Sequence, residues 1–332
     1  MLNPALKLNE KLFDKEVEQK STREGFGEGL LEAGSANVNV VALSADVTGS
    51  TKTDTFARAF PDRFFQCGVA EQDMAAIAAG FGVSGKIAFI SSYATFSPGK
   101  NWETIRTTIV YNHSNVKIAG HHTGIVTGAD GATHQATEDI AIMRALPGID
   151  VVVPCDSIEA KKAVLASVDV EGPMYLRFTR DKTPIMTTDK TPFELGKVYE
   201  FWKVDSPQVV IFATGHLLYQ ALVAAKELAR EKIAVSVVNV ATVKPLDVSG
   251  IVNAAKMAGA VVTVEDHQIL GGLGGAISEL LAKEYPLPIE FIGLRDTFAE
   301  SGKPAELIEK YHMDSKAIKI AVKKVIKRKS YK

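Results

Sequence analysis

The chain has 332 residues, 46% of them hydrophobic, with 38 Lys and Arg against 39 Asp and Glu and a net charge of -1. That length predicts two globular domains, and the balanced charge excludes a polybasic nucleic-acid or membrane-surface role. Two cysteines, Cys67 and Cys155, make neither a metal cluster nor a disulfide framework, which predicts a reducing, cytoplasmic setting. The segment from Met1 to Lys7 lacks the apolar core of a signal peptide, and no run of about 18 apolar residues is present to span a bilayer.

Short β-branched runs alternate with helical patterns along the chain. Strands are predicted at 38–44, 64–67, 86–90, 116–119, 151–153 and 174–178, with helices starting near Thr22, Glu71, Asn101, Thr137 and Ser157. The segment 181–195 breaks the rhythm with two Lys-Thr-Pro triplets and reads as an interdomain linker. A second series then has strands at 208–213, 234–239, 260–264 and 289–292 and helices starting near Leu217, Val248, Gly274 and Pro304. This predicts an α/β protein of two domains, each a mainly parallel sheet flanked by helices. The basic cluster at 323–329 reads as a solvated helix end favoured by the helix dipole.

Ligands of open α/β sheets sit outside the carboxyl ends of the strands. Asp46, Glu71, Tyr93 and His122 each follow a predicted strand, and Asp130 lies in the loop that His122 opens. Glu71 leads a helix, Met74 to Gly82, that is apolar almost all round, which predicts burial, with a subunit interface as one setting. A carboxylate so placed needs a proton or a protonatable partner such as a ligand ring nitrogen; read alone, it is equally a helix-dipole or capping acid. Tyr93 and Phe96 form either an aromatic wall for a flat ring or ordinary core packing. The Gly-punctuated segment from His121 to Gln135, carrying Asp130 and His134, has the length and polarity of a functional loop. His122 and His134 lack the further ligands of a zinc set. Arg23, Ser50, His122 and Arg180 could close on a phosphate, or be ordinary surface residues. The run Gly271 to Gly275 does not fit G-x-G-x-x-G, because Ile277 takes the last glycine position. Glu265, Asp266 and His267 read as a loop or interface cluster.

The segments Leu43-Ser44-Ala45-Asp46, Gly68-Val69-Ala70-Glu71-Gln72 and Asp130-Gly131-Ala132-Thr133-His134-Gln135, with Glu138-Asp139, together resemble the C-terminal half of the transketolase family over almost the whole chain. The resemblance implies a thiamine diphosphate pyrimidine-binding domain at 15–185, a linker at 186–198 and a transketolase C-terminal-like α/β domain at 199–332. It implies thiamine diphosphate as cofactor. The counterpart of Glu71 hydrogen-bonds the aminopyrimidine ring nitrogen and promotes its imino tautomer, and the cofactor then serves as electron sink. Tyr93, standing where Phe is common, and Phe96 would stack on the pyrimidine, and Asp46 would lie near the thiazolium. Asp130 and His134 would bond sugar hydroxyls, His134 joining Glu71 in catalysis, while Arg23, Ser50, His122 and Arg180 would clamp the distal phosphate.

Family members bind the diphosphate and Mg²⁺ (or Ca²⁺) through a G-D-G motif in an N-terminal domain. No G-D-G occurs here; Ala129-Asp130-Gly131 is not it. The expectation is therefore the small subunit of a split transketolase, active only with a partner chain that holds the diphosphate and metal, in an α2β2 heterotetramer. The implied reaction is reversible transfer of a two-carbon ketol unit from ketose phosphate to aldose phosphate, as in the pentose phosphate pathway. The alternatives are a deoxyxylulose-phosphate synthase-like enzyme, a 2-oxo acid dehydrogenase β subunit, or a non-catalytic interaction subunit.

Overall fold

The structure is a computed structural model, and it describes residues 1–329. The last three residues of the 199–332 span lie outside the described residues. The first half runs β1 (Gln19–Ser21), α1 (Thr22–Ala36), β2 (Val40–Ser44), α2 (Asp54–Ala59), β3 (Phe64–Gln66), α3 (Glu71–Val83), β4 (Ile87–Tyr93), α4 (Trp102–Thr104), β5 (Val116–His121), α5 (Asp139–Arg144), β6 (Asp150–Val152), α6 (Ser157–Val168), β7 (Met174–Arg177) and β8 (Lys182–Pro184). The second runs β9 (Tyr199–Trp202), β10 (Val209–Ala213), α7 (Leu218–Arg230), β11 (Val235–Asn239), β12 (Thr242–Lys244), α8 (Val248–Ala258), β13 (Val261–Gln268), α9 (Leu273–Glu284), β14 (Ile289–Leu294), α10 (Pro304–Lys310) and α11 (Ser315–Lys329).

The strands assemble into a sheet ordered β12-β6-β7-β5-β4-β2-β3 and a second ordered β14-β13-β10-β11-β9. Neighbours are parallel except for β12 against β6 and β9 against β11. Strands β2, β5 and β10 are buried along their whole length, as expected for parallel strands covered on both faces. Helix α1 packs closely on α6 because it carries glycine where they cross; a Cβ at Gly25 would lie 1.9 Å from the Ser157 carbonyl oxygen.

The two halves are more interlaced than their periodicities predict. Strand β12 comes from the second series but completes the edge of the first sheet. Leu6, Leu8 and Leu12 join the second domain's core, and Leu2 bridges to Trp202. The segment read as a linker is tied down. Strand β8 pairs antiparallel with β1, and the Met186 and Thr187 N–H groups donate to Asp156 Oδ2 at 2.7 and 2.6 Å. The basic tail is paired as well as solvated: Lys324 and Arg328 reach Glu290 at 2.9 and 2.7 Å. No described helix is long and apolar enough to cross a membrane.

A buried carboxylate joins the halves. Glu159 of α6 accepts the Cys155 N–H and the Asn239 Nδ2 of β11, both at 2.7 Å. Burial, followed by the Asp156 charge, pushes its pKa up from 4.5 to about 7. Between those values the folded chain holds a proton that the unfolded chain has released, so this site's stabilisation is lost as pH rises. Relative to Glu159→Gln, the wild type is expected to lose about 2–3 kcal/mol of unfolding free energy between about pH 5 and about pH 8. Urea unfolding across that range checks it; parallel curves for the two proteins would remove Glu159 as the titrating group.

Candidate active site

Strand β3 and the turn at Gly68, whose φ is +68°, deliver Glu71 to the first position of α3. The side chain is 3% exposed. Its Oε1 accepts from Ser92 Oγ at 3.3 Å, and its Oε2 meets Lys100 Nζ at 3.0 Å. The side-chain amide of Asn101 donates to the Glu71 carbonyl at 2.9 Å and fixes the helix start. The partner expected from a ligand is thus supplied within the chain by Lys100, whose own side chain is 46% exposed. No motif signals Lys100.

The expectation that α3 is buried all round is not met. Met74, Ala75, Ala78 and Ala79 pack inward, but Ile77 and Val83 are exposed, as is Val69 just ahead of the helix. An all-apolar helix needs cover on every side, and within this chain the β4 sheet covers only one.

Tyr93, Phe96, His122 and His134 are brought together. Tyr93 ends β4, and its ring stacks on His122 with centroids 3.8 Å apart and lies 6.0 Å from Phe96. The His134 ring meets Phe96 edge-on at 5.4 Å. Tyr93 and Phe96 are only half-buried. Burial, then the charges of Arg23, Arg180 and His134, pushes the His122 pKa down to about 3, so the ring is neutral near pH 7. Its Nδ1 has no hydrogen-bond partner among the described residues.

Arg23, in the first turn of α1, donates from Nη1 to the Ser50 carbonyl at 2.9 Å. The observed contact with Ser50 is therefore through its backbone, whereas a clamp was expected to use its hydroxyl. Arg180 donates from Nη1 to the Thr127 carbonyl at 2.9 Å and to Asp130 Oδ2 at 3.2 Å. Burial, then the proximity of Arg180, lowers the pKa of Arg23. Two like charges forced together favour an anion between them. Both arginines line a cavity of about 390 Å³ to which Lys182 and Lys303 also contribute. Asp46 lies just after β2, with a φ of +60° and its N–H donating to Gln66 Oε1 at 2.7 Å.

Glu265, Asp266 and His267 are not in a loop. Strand β13 continues through them to Gln268, and all three are buried. Glu265 accepts the N–H groups of Leu273 and Gly274 at 2.7 and 2.8 Å. The glycine run before α9 thus receives the protein's own carboxylate. A Cβ at Gly272 would lie 2.0 Å from Glu265 Oε2. Among the described residues no group of three His, Cys, Asp or Glu could hold a metal ion.

Residues 18–186 match the family described as Transketolase, pyrimidine binding domain. The chain belongs to the transketolase family. Residues 202–318 match Transketolase, C-terminal domain. A Methanocaldococcus jannaschii protein described as a transketolase C-terminal section is 43% identical over 90% of this chain and 94% of its own length. A Clostridium sp. protein described as a 6-deoxy-6-sulfo-D-fructose transketolase subunit is 35% identical over 96% of this chain and 99% of its own. The solved structure described as a split gene transketolase, inactive β4 tetramer, superposes with a TM-score of 0.87 at 42% identity, covering 93% of this chain and 99% of that one. Human transketolase is 33% identical over 92% of this chain but only 49% of its own length. Membership places the chain in a thiamine diphosphate-dependent transferase family.

Proposed function

We propose that this chain is the small subunit of a two-chain transketolase that moves a two-carbon ketol unit from ketose phosphates to aldose phosphates, as in the pentose phosphate pathway. The observation that carries the reading is a buried Glu71 carboxylate reached by one half-exposed lysine, its partners Ser92 and Lys100 flanking along the chain the half-buried rings of Tyr93 and Phe96. These residues suit the aminopyrimidine end of thiamine diphosphate. Its diphosphate and divalent metal would be held by a partner subunit in an α2β2 assembly. Bound, the cofactor would supply the electron sink for carbanion chemistry.

The chain's own part follows from its geometry. Glu71 would hold a proton at the pyrimidine ring nitrogen, displacing Lys100 from Oε2. Tyr93 and Phe96 would stack on the ring, and Asp46, from the neighbouring strand end, would face the cofactor's other ring. His122, neutral, would offer a neutral hydrogen-bonding group to a phosphate held by Arg23, Arg180 and Ser50. Asp130 and His134 would take the sugar hydroxyls, with His134 nearest the reacting carbons.

The test is reconstitution. The purified chain with thiamine diphosphate and Mg²⁺ is expected to be inactive on xylulose 5-phosphate and ribose 5-phosphate, and co-expression with a G-D-G-bearing partner is expected to restore turnover. Turnover by the chain alone would sink the split-site reading. A cofactor-free, inactive complex would favour the interaction-subunit alternative. Within an active complex, Arg180→Ala should raise KM for phosphorylated sugars by roughly 10- to 100-fold, the worth of a charge-assisted contact. An equal change for a small unphosphorylated donor would remove Arg180 from the clamp.

A further inference from the structure

Asp266 belongs to the second domain, at the end of β13, yet its contacts serve a loop of the first. Its Oδ1 accepts the Ile125 N–H at 3.0 Å, and its Oδ2 lies 2.9 Å from His216 Nε2. Its carbonyl accepts from Arg177 Nη2 at 2.9 Å, and the same Nη2 donates to the Ala136 carbonyl at 3.2 Å. The loop so gripped, between Ile125 and Ala136, carries Asp130 and His134.

That loop depends on glycine. Gly124 and Gly131 have φ of +72° and +73° with ψ of -179° and -168°, a region essentially closed to other residues. Glycine enters this region freely but is not confined to it, so the surroundings must select it. The second domain provides those surroundings. A Cβ on Gly124 would lie 2.0 Å from Asp266 Oδ2, and one on Gly131 would lie 2.5 Å from Ser301 Oγ. Gln135 Nε2 donates to the Glu300 carbonyl at 3.1 Å while also holding the Ile125 and Gly128 carbonyls, both at 3.3 Å.

We propose that the second domain is the template that shapes the substrate loop, and that Asp266, oriented by His216, is the positioning residue that fixes where Asp130 and His134 stand. The proposal rests on the roles given to Asp130 and His134 under the function proposed above. Asp266 acts through the Ile125 backbone, away from the reacting atoms. A carboxylate is suited to the place because two donors converge on it from opposite domains, and a buried N–H left unpaired is costly.

The experiment compares wild type, Asp266→Asn and His216→Gln in the two-chain complex. Amide hydrogen exchange over 124–135 is expected to speed up about tenfold or more in both variants, with the amides of β4 and β5 unchanged. The kcat/KM for sugar phosphates is expected to fall roughly 10- to 100-fold, as for a small misplacement of substrate-binding groups, with thiamine diphosphate affinity unaltered. Combining Asp266→Asn with His134→Ala should add little to His134→Ala alone, since both act on one unit. Should Asp266→Asn fail to fold, the milder His216→Gln carries the same three readouts. Unchanged loop exchange, faster exchange with wild-type kinetics, or fully additive losses would each overturn the proposal. An inactive wild-type complex would instead count against the proposed function, and the exchange measurement would still decide this inference.

Discussion

Glu71→Ala is expected to lower kcat of the reconstituted complex by roughly 10²–10⁴-fold, the range for a positioned proton-transfer group, with little change in KM for the sugars. The direction follows from placement. The carboxylate is 3% exposed at the first position of α3, and its hydrogen-bonding neighbours Ser92 and Lys100 come from β4 and the turn after it. A group that touches the cofactor and not the sugar alters the chemical step and leaves substrate affinity in place. The structural cost should be small, because the charge left behind belongs to Lys100, which is 46% exposed and can be hydrated. Steady-state kinetics beside a thermal melt checks both halves. Near-normal turnover in a folded variant would remove Glu71 from the chemistry, and Lys100→Met, which leaves the carboxylate in place, should be the milder change.

The largest stability effect is expected from Asp139→Asn. Asp139 Oδ2 accepts from Arg177 Nε at 2.7 Å and from the Tyr175 hydroxyl at 2.6 Å, while Oδ1 accepts from Arg177 Nη2 at 3.1 Å. Both charged side chains are at most 2% exposed. Burial works against the Arg177 charge, but Asp139 outweighs it and holds the guanidinium pKa above its ordinary value. Neutralising Asp139 leaves that buried cation without its hydrogen-bonded counter-charge, a loss of about 3–5 kcal/mol. Urea unfolding of the purified chain measures it. The double replacement Asp139→Leu with Arg177→Met should recover part of the loss, since it removes both buried charges, while the Tyr175 hydroxyl and the Ala136 and Asp266 carbonyls lose a partner. Equal losses for the single and double variants would show that packing, not charge, is what matters there.

The sequence was most legible where local chemistry is self-sufficient. Gly68 before Glu71 marks a turn that opens a helix, and α3 starts at Glu71. The β-branched runs mark the central strands to within a few residues, because a strand buried on both faces needs little else to declare itself. Legibility failed where a residue's meaning depends on a distant partner. Strands β1, β8, β9 and β12 are short or at edges, and pairing with remote segments makes them strands. For Asp266 the sequence leaves loop and interface open, and only the placement of Ile125 and His216 against the polar end of β13 separates them, as a strand end facing the other domain. The apolar surround of α3 reads as a helix buried all round, whereas this chain leaves Ile77 and Val83 bare.

By itself, then, the sequence determined the two α/β halves, the family, and which residue types stand ready at the strand ends. These properties reside in short-range periodicity and in motifs whose members are neighbours along the chain. Only the tertiary structure decided that Tyr93, Phe96, His122 and His134 share one cluster, that Lys100 meets Glu71, and that the second domain grips the loop carrying Asp130 and His134. Each of those contacts joins side chains carried on different strands or loops. Their distances are set by sheet order and helix packing, and no one-dimensional spacing records either.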